Sequence, residues 1–341
     1  KVVFGSLVAG LLAGSSSVAM ASGDTTEPPT ETTTDDAAAA SGPVCETSTT
    51  DDDIVEAIGD IDLSGVEVTI GSKNFTEQYV LGWLGYLAME EAGATVDEAI
   101  DLGGTNVVRE ALLAGEIDMS WEYNGTGWAE HLGQADPSFV PETLTAEVCA
   151  LDLEENDMRW IGRSPFNNTY GFASRPDLVD DDGEPLDFDG MAAYLEENPD
   201  ATVCMESEFP ARDDGLVLWE DHTGYVLPVE QEVILDTDVI YEQTASGECD
   251  FGEIFTTDER VNTLGLNLVA DPGVMILYNV SLTMTDETYQ QAPDAFRSIA
   301  ATLLADLDEE TMLELNGAAA ETGDPEQVAR DYLVEQGLIE E

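Results

Sequence analysis

Basic residues are what this chain most lacks. Against 73 Asp and Glu it carries 10 Lys and Arg and 2 His, a formal charge of −63. That balance excludes nucleic acid as a partner, because phosphates are held by Lys and Arg that displace their counterions. It speaks equally against docking on anionic lipid headgroups. So few imidazoles offer no His-based triad, no Gly-x-Ser-x-Gly elbow occurs, and the cysteine spacing fits no zinc site. Carboxylate pairs abound, as they must at this composition, so they carry no signal for glycoside chemistry. The chain is therefore expected not to be an enzyme and to need no cofactor and no metal. Asp180-Asp181-Asp182-Gly183 has the look of a calcium loop, but its first ligand position falls on Leu178, which cannot ligate. Because the acids run along the whole chain, most of them read as a solvated shell suited to high salt, where a Debye length of ~3 Å at 1 M screens self-repulsion. Lysine is scarcest of all: only Lys1 and Lys73 occur. Lys1 lies in a segment read as removed on export, so Lys73 invites a specific reason.

What is present is length and apolar content, 341 residues at 43% hydrophobic, enough for two domains of ordinary size. Val2 to Ala13 is a short apolar run, followed by small residues ending Ala19-Met20-Ala21. Residues 1–21 therefore read as a signal peptide, placing the protein at the periplasmic or extracellular face of the cell membrane. Leu12-Ala13-Gly14-Ser15 resembles a lipoprotein box with Ser where the lipidated Cys must stand. A hydroxyl cannot replace that thioether, which speaks against a lipid anchor. Residues 22–60, rich in Thr, Pro, Ala and Asp, read as an acidic disordered linker.

The folded part begins near Val66. Val66-Glu67-Val68-Thr69-Ile70 alternates at period two and reads as a strand, and Gly71-Ser72-Lys73-Asn74 as a turn. A helix follows with Val80, Leu84, Leu87 and Ala88 on one face. Asn74 is its expected cap, with Glu77 three residues on completing a capping box. After Leu102-Gly103-Gly104-Thr105 a second helix runs through Leu113, and Ile117 to Tyr123 is another strand. This alternation implies an α/β fold with a parallel sheet, helices on both faces, and ligands at the carboxyl ends of the strands. Thr202 to Met205 and Phe251 to Phe255 read as strands of a second mixed region. From Asp286 onward the chain reads as mostly helical, with Asp324-Pro325-Glu326-Gln327 a helix start.

Six short motifs fall in register along this frame: Gly71-Ser72-Lys73-Asn74-Phe75-Thr76-Glu77-Gln78, Leu102-Gly103-Gly104-Thr105-Asn106, Glu122-Tyr123-Asn124-Gly125-Thr126, Asn167-Asn168-Thr169-Tyr170, Glu208 through Gly215, and Phe255-Thr256-Thr257-Asp258. In order and spacing they resemble the glycine betaine/choline/carnitine-binding proteins of osmoprotectant ABC transporters, over about Val66 to Ile339. The resemblance implies a two-lobed type II periplasmic-binding-protein fold, each lobe a mostly parallel sheet flanked by helices, with a hinge between them. Residues 61–167 and 279–341 would form lobe 1, and 168–278 lobe 2. It implies an aromatic box of Tyr123, Tyr170, Phe255 and Tyr278 around a trimethylammonium group. Lys73, Thr126 and Arg212 would hold the ligand carboxylate, and Asn168 would offer its backbone carbonyl to the methyls. Members commonly carry Tyr at the position of Phe255, which keeps the π face and loses the hydroxyl.

The chemistry is consistent with these residue types. A quaternary ammonium has no N–H to donate, so ring quadrupoles must hold it, at on the order of 2 kcal/mol each when desolvated. Lys73 and Arg212 are two of very few bases that could meet a carboxylate, and Lys73 precedes a helix N-terminus, which favours anions. Together they favour carboxylate-bearing ligands over choline. Trp83, Trp121, Trp128 and Trp160 read as packing residues. The expected partners are a small quaternary ammonium ligand and a membrane permease, and the protein is expected to be a monomer. A binding protein for another small zwitterion or anion, such as an amino acid, ectoine or taurine, is the rival reading, and a secreted hydrolase the weaker one. Four cysteines in an exported chain suggest two disulfides among three possible pairings. Cys204 with Cys249 and Cys45 with Cys149 are favoured, because each stays within or beside one lobe.

Overall fold

The structure is a computed structural model that describes residues 47–180 and 182–340. The alternating segment forms β1 (Glu67–Lys73), with Val68 and Ile70 buried. It leads into α1 (Thr76–Glu91), whose Val80, Leu84, Leu87 and Ala88 face the core as their spacing requires. β2 (Thr95–Gly103), α2 (Thr105–Ala114) and β3 (Met119–Tyr123) follow. α2 stops at Gly115, whose φ of 67° is a left-handed C-cap that glycine adopts without Cβ strain. Next come α3 (Asn124–Thr126), continued by a wide turn over Gly127–His131, then α4 (Pro141–Asn156) and β4 (Met158–Ile161).

The chain then enters a second sheet through β5 (Tyr170–Ser174), α5 (Phe188–Glu197) and β6 (Val203–Met205). A 3-10 turn at Phe209–Ala211 precedes α6 (Leu216–Thr223), β7 (Glu232–Ile234), α7 (Thr237–Ser246), β8 (Phe251–Phe255), α8 (Arg260–Thr263) and β9 (Asn267–Leu268). β10 (Val280–Thr285) returns to the first sheet, and α9 (Asp286–Tyr289), α10 (Pro293–Ala305), α11 (Glu309–Thr322) and α12 (Pro325–Glu335) close the chain.

The strand orders are β2-β1-β3-β10-β4 and β7-β6-β8-β5-β9. Each sheet has three parallel strands, and one antiparallel strand, β10 or β5, separates them from the fifth. The two sheets thus repeat one plan. The chain passes between them twice, between Ile161 and Tyr170 and again between Leu268 and Val280. The disulfide Cys204–Cys249, one of the two favoured pairs, ties β6 to the entry of β8 with Cα atoms 5.9 Å apart.

Two local expectations need correction. Residues 47–60, the end of the expected disordered linker, lie against the body as short turns at Asp51–Asp53 and Ile58–Asp60. Ile58 is fully buried, its N–H donates to the Leu338 carbonyl at 2.9 Å, and Asp53 pairs with Arg297 at 3.0 Å. One buried isoleucine contributes roughly 1.5–3 kcal/mol, enough to hold so short a stretch. The N-cap of α1 is Phe75, not Asn74, and no side chain caps it. Glu77 turns inward and is buried, because four donors described below await it. The expected signal peptide, the first part of the linker and Cys45 lie outside the described residues.

Candidate ligand-binding cavity

The carboxyl ends of β1, β3 and β8 and the adjoining starts of β5 and β10 meet at a cavity of about 410 Å³. Strand register places its rings: Tyr170 pairs with Phe255 across β5 and β8, and Tyr123 pairs with Val280, two residues beyond Tyr278. Lys73, Tyr123, Thr126, Asn168, Tyr170, Phe255 and Tyr278 all line it. So does Phe75, which closes the aromatic wall into a cycle. Centroids lie 6.4 Å apart for Tyr123 and Tyr278, 5.4 Å for Tyr278 and Tyr170, and 5.3 Å for Tyr170 and Phe255. Phe75 completes the circuit at 5.1 Å from Phe255 and 6.3 Å from Tyr123.

Hydroxyls lock two of these rings. Tyr123 donates to Glu77 and Tyr278 to Asp214, both at 2.8 Å. Burial pushes the Tyr123, Tyr170 and Tyr278 phenols well above their ordinary range, so they stay neutral. Glu77 also accepts from the Asn168 amide at 2.7 Å, the Asn316 amide at 2.9 Å and the Thr257 hydroxyl at 2.5 Å. Burial raises its pKa against the pull of these four donors.

The bases are already occupied. Lys73 Nζ lies 2.6 Å from Glu122 Oε1 and 5.1 Å from the Tyr123 ring centroid. His131 Nε2 meets the other Glu122 oxygen at 2.9 Å. Burial alone would raise Glu122, yet Lys73 and His131 bring it down to about 2. Arg212 stands behind the wall, its Nε and Nη2 each 2.7 Å from Asp214. It also donates to Thr105 Oγ1 at 3.3 Å and Thr126 Oγ1 at 3.2 Å, across to the first sheet's half. Glu206, Glu208, Asp236 and Asp238 line the cavity as well. The two sides are tied by Thr105 N–H to Glu208 at 3.0 Å, Asp213 N–H to Glu130 at 3.1 Å and Thr76 Oγ1 to Asp238 at 3.4 Å.

Residues 66–335 match the family described as the substrate binding domain of ABC-type glycine betaine transport systems. The chain belongs to that family. The glycine betaine-binding protein YehZ of Escherichia coli (strain K12) is 30% identical over 278 residues, covering 79% of this chain and 90% of that protein. The structure of apo YehZ covers 80% of this chain and 98% of its own at a TM-score of 0.56. Lactococcal OpuAC, in its closed-liganded conformation with glycine betaine, gives a TM-score of 0.54 at 11% identity, over 80% of this chain and 96% of that one. The fold is thus the two-lobed type II periplasmic-binding-protein fold, and the protein is the substrate-binding protein of a glycine-betaine-type ABC transporter. No helix among the described residues is long and apolar enough to cross a membrane.

In this binding protein the expected ring residues, Thr126 and Asn168 come together around one cavity. The expected bases carry partners that the sequence did not show: Glu122 holds Lys73 and Asp214 holds Arg212, which leaves each fewer donors for a ligand carboxylate. Asn168 spends its side-chain amide on Glu77. Phe75 and Glu77 escaped notice although both stand in the first motif, since that stretch reads locally as turn and cap. The cavity acids escaped for another reason: among 73 acidic residues, nothing in the sequence marks four as lining a cavity. The four tryptophans named above, of five in the chain, pack as expected, with Trp121 and Trp160 fully buried and Trp83 and Trp128 half-buried.

Proposed function

We propose that this protein captures a small quaternary ammonium osmolyte, glycine betaine or a close relative, between its lobes and delivers it to its permease. The observation that carries this reading is the closed circuit of five aromatic rings around a cavity of about 410 Å³. A methylated cation is hydrophobic at its rim and charged at its centre. Ring faces match both properties without needing a donor on the ligand. The cavity acids add a favourable potential for a cation and oppose a small anion as cargo.

Tyr123, Tyr170, Phe255, Tyr278 and Phe75 contact the methyl groups in this reading. Thr126, Lys73 and Arg212 face the other end, with less donor capacity than their charges suggest. Lys73 has three N–H donors and gives one to Glu122, so two remain for cargo. Lobe 1 comprises residues 61–167 and 279–341, lobe 2 residues 168–278, and the protein is an exported monomer without catalytic activity, its acidic surface suited to high salt.

Titration calorimetry at high salt with glycine betaine and with glycine tests the proposal, because only the methyl groups differ. Betaine is expected to bind and glycine not. Equal affinity for the two, or no binding of betaine, choline or carnitine, refutes it.

A further inference from the structure

One place in the cavity where an anion could be seated is filled by the chain's own carboxylate. Arg212 has five N–H donors. Two are given to Asp214, one to Thr105 and one to Thr126, which leaves one. Backbone that favours an anion lies beside it at the start of α2, a ten-residue helix whose Thr105 hydroxyl accepts from Arg212. Its first N–H, at Thr105, donates to Glu208 Oε1 at 3.0 Å. The other Glu208 oxygen lies 3.7 Å from Arg212 Nη1, beside the remaining donor. The same carboxylate presses on Gly104, so closely that any Cβ at that position would collide with it.

The other cavity acids are placed differently. Glu206 accepts the Glu208 backbone N–H at 2.6 Å. Asp238 pairs with Arg260 at 2.9 Å. Asp236 is exposed on the rim. Glu208 alone among them touches the donors that a cargo carboxylate would seek.

We propose that Glu208 sets the charge selectivity of the cavity: it occupies the anion seat at the start of α2 and beside Arg212, and so weakens zwitterionic cargo relative to cationic cargo with the same head group. The proposal rests on the reading of the cavity as a quaternary ammonium site. Two negative groups competing for one N–H and one guanidinium edge repel each other, whereas a hydroxyl-ended cation meets no such competitor.

The test is titration calorimetry at one fixed high salt concentration, with glycine betaine and choline as ligands. Wild type, Glu208→Gln and Asp236→Asn are compared. Gln keeps an oxygen for the Thr105 N–H and loses the charge. The betaine-to-choline affinity ratio is expected to rise at least tenfold in Glu208→Gln and less than threefold in Asp236→Asn. Should Glu208→Gln not fold, Glu208→Asp retracts the carboxylate by one methylene and is expected to raise the ratio about threefold or more. An unmoved ratio in the folded Glu208 variant, or an equal rise in Asp236→Asn, overturns the assignment and leaves the ammonium reading intact. Wild type that binds neither ligand overturns both.

Discussion

Glu253 makes the fold's stability depend on pH in a direction opposite to that of most carboxylates. It sits on β8, fully buried, with one oxygen accepting the Glu206 N–H at 3.0 Å and the other without a partner among the described residues. Burial, reinforced by the neighbouring Glu206 carboxylate, pushes it up to about 8, from an ordinary value of 4.5. The folded state therefore keeps a proton that the unfolded chain releases above pH 4.5. Its contribution is fully present below that pH and is lost progressively as pH rises to about 8. At about 1.4 kcal/mol per pH unit, the loss between pH 5 and pH 8 approaches roughly 4 kcal/mol. Glu253→Gln preserves shape and cannot ionise. The variant should match wild type at pH 4.5 and exceed it increasingly toward pH 8. A quarter of the full effect, about 1 kcal/mol, would still move the melting midpoint by about 1.5 °C in a chain this long. Thermal denaturation of both proteins at pH 4.5, 6 and 8, in the same high salt, measures this. A stability difference that stays constant across the three pH values, or a variant less stable than wild type at pH 8, refutes the reasoning.

Other outcomes follow from the same geometry. Phe75→Ala removes one of five ring faces and should weaken glycine betaine binding by roughly tenfold to thirtyfold, measured by calorimetry, if a desolvated cation–π contact contributes about 2 kcal/mol. Unchanged affinity would remove Phe75 from the box. Lys73→Met leaves buried Glu122 with His131 as its one basic partner beside the Tyr123 N–H, which should cost about 3–5 kcal/mol of stability. Most of that loss should return in the double variant Lys73→Met with Glu122→Gln, as read from denaturant midpoints. Breaking Cys204–Cys249, whose partners are 45 residues apart, should cost about 4 kcal/mol by the chain-entropy relation. Cys204→Ala with Cys249→Ala in a denaturant melt checks it.

Much of the frame was legible along the chain because it depends on near neighbours. The alternation from Val66 to Ile70 predicts β1, and the spacing of Val80, Leu84, Leu87 and Ala88 predicts the buried face of α1. Asp324 caps α12 by accepting from the Gln327 N–H at 3.1 Å, as its sequence suggests. Four ring residues were legible only through motif resemblance, since a tyrosine's own neighbours do not say which way it faces. Glu77 shows where local reading misleads. Its spacing from Asn74 mimics a capping box, yet its partners Tyr123, Asn168, Thr257 and Asn316 lie between 46 and 239 residues away.

The sequence by itself determined most of the elements and the α/β class, because these rest on periodicity and turn chemistry, while the ring residues came through motif resemblance. Only the tertiary structure decided the electrostatics of the cavity. Glu122 and Lys73 are separated by 49 residues and meet at 2.6 Å, while Glu208 crosses from the other half of the molecule to the start of α2. A chain with 73 acids and 10 Lys and Arg offers many possible pairs for each base. Coulomb interaction depends on distance and on burial, and both are properties of the folded chain alone.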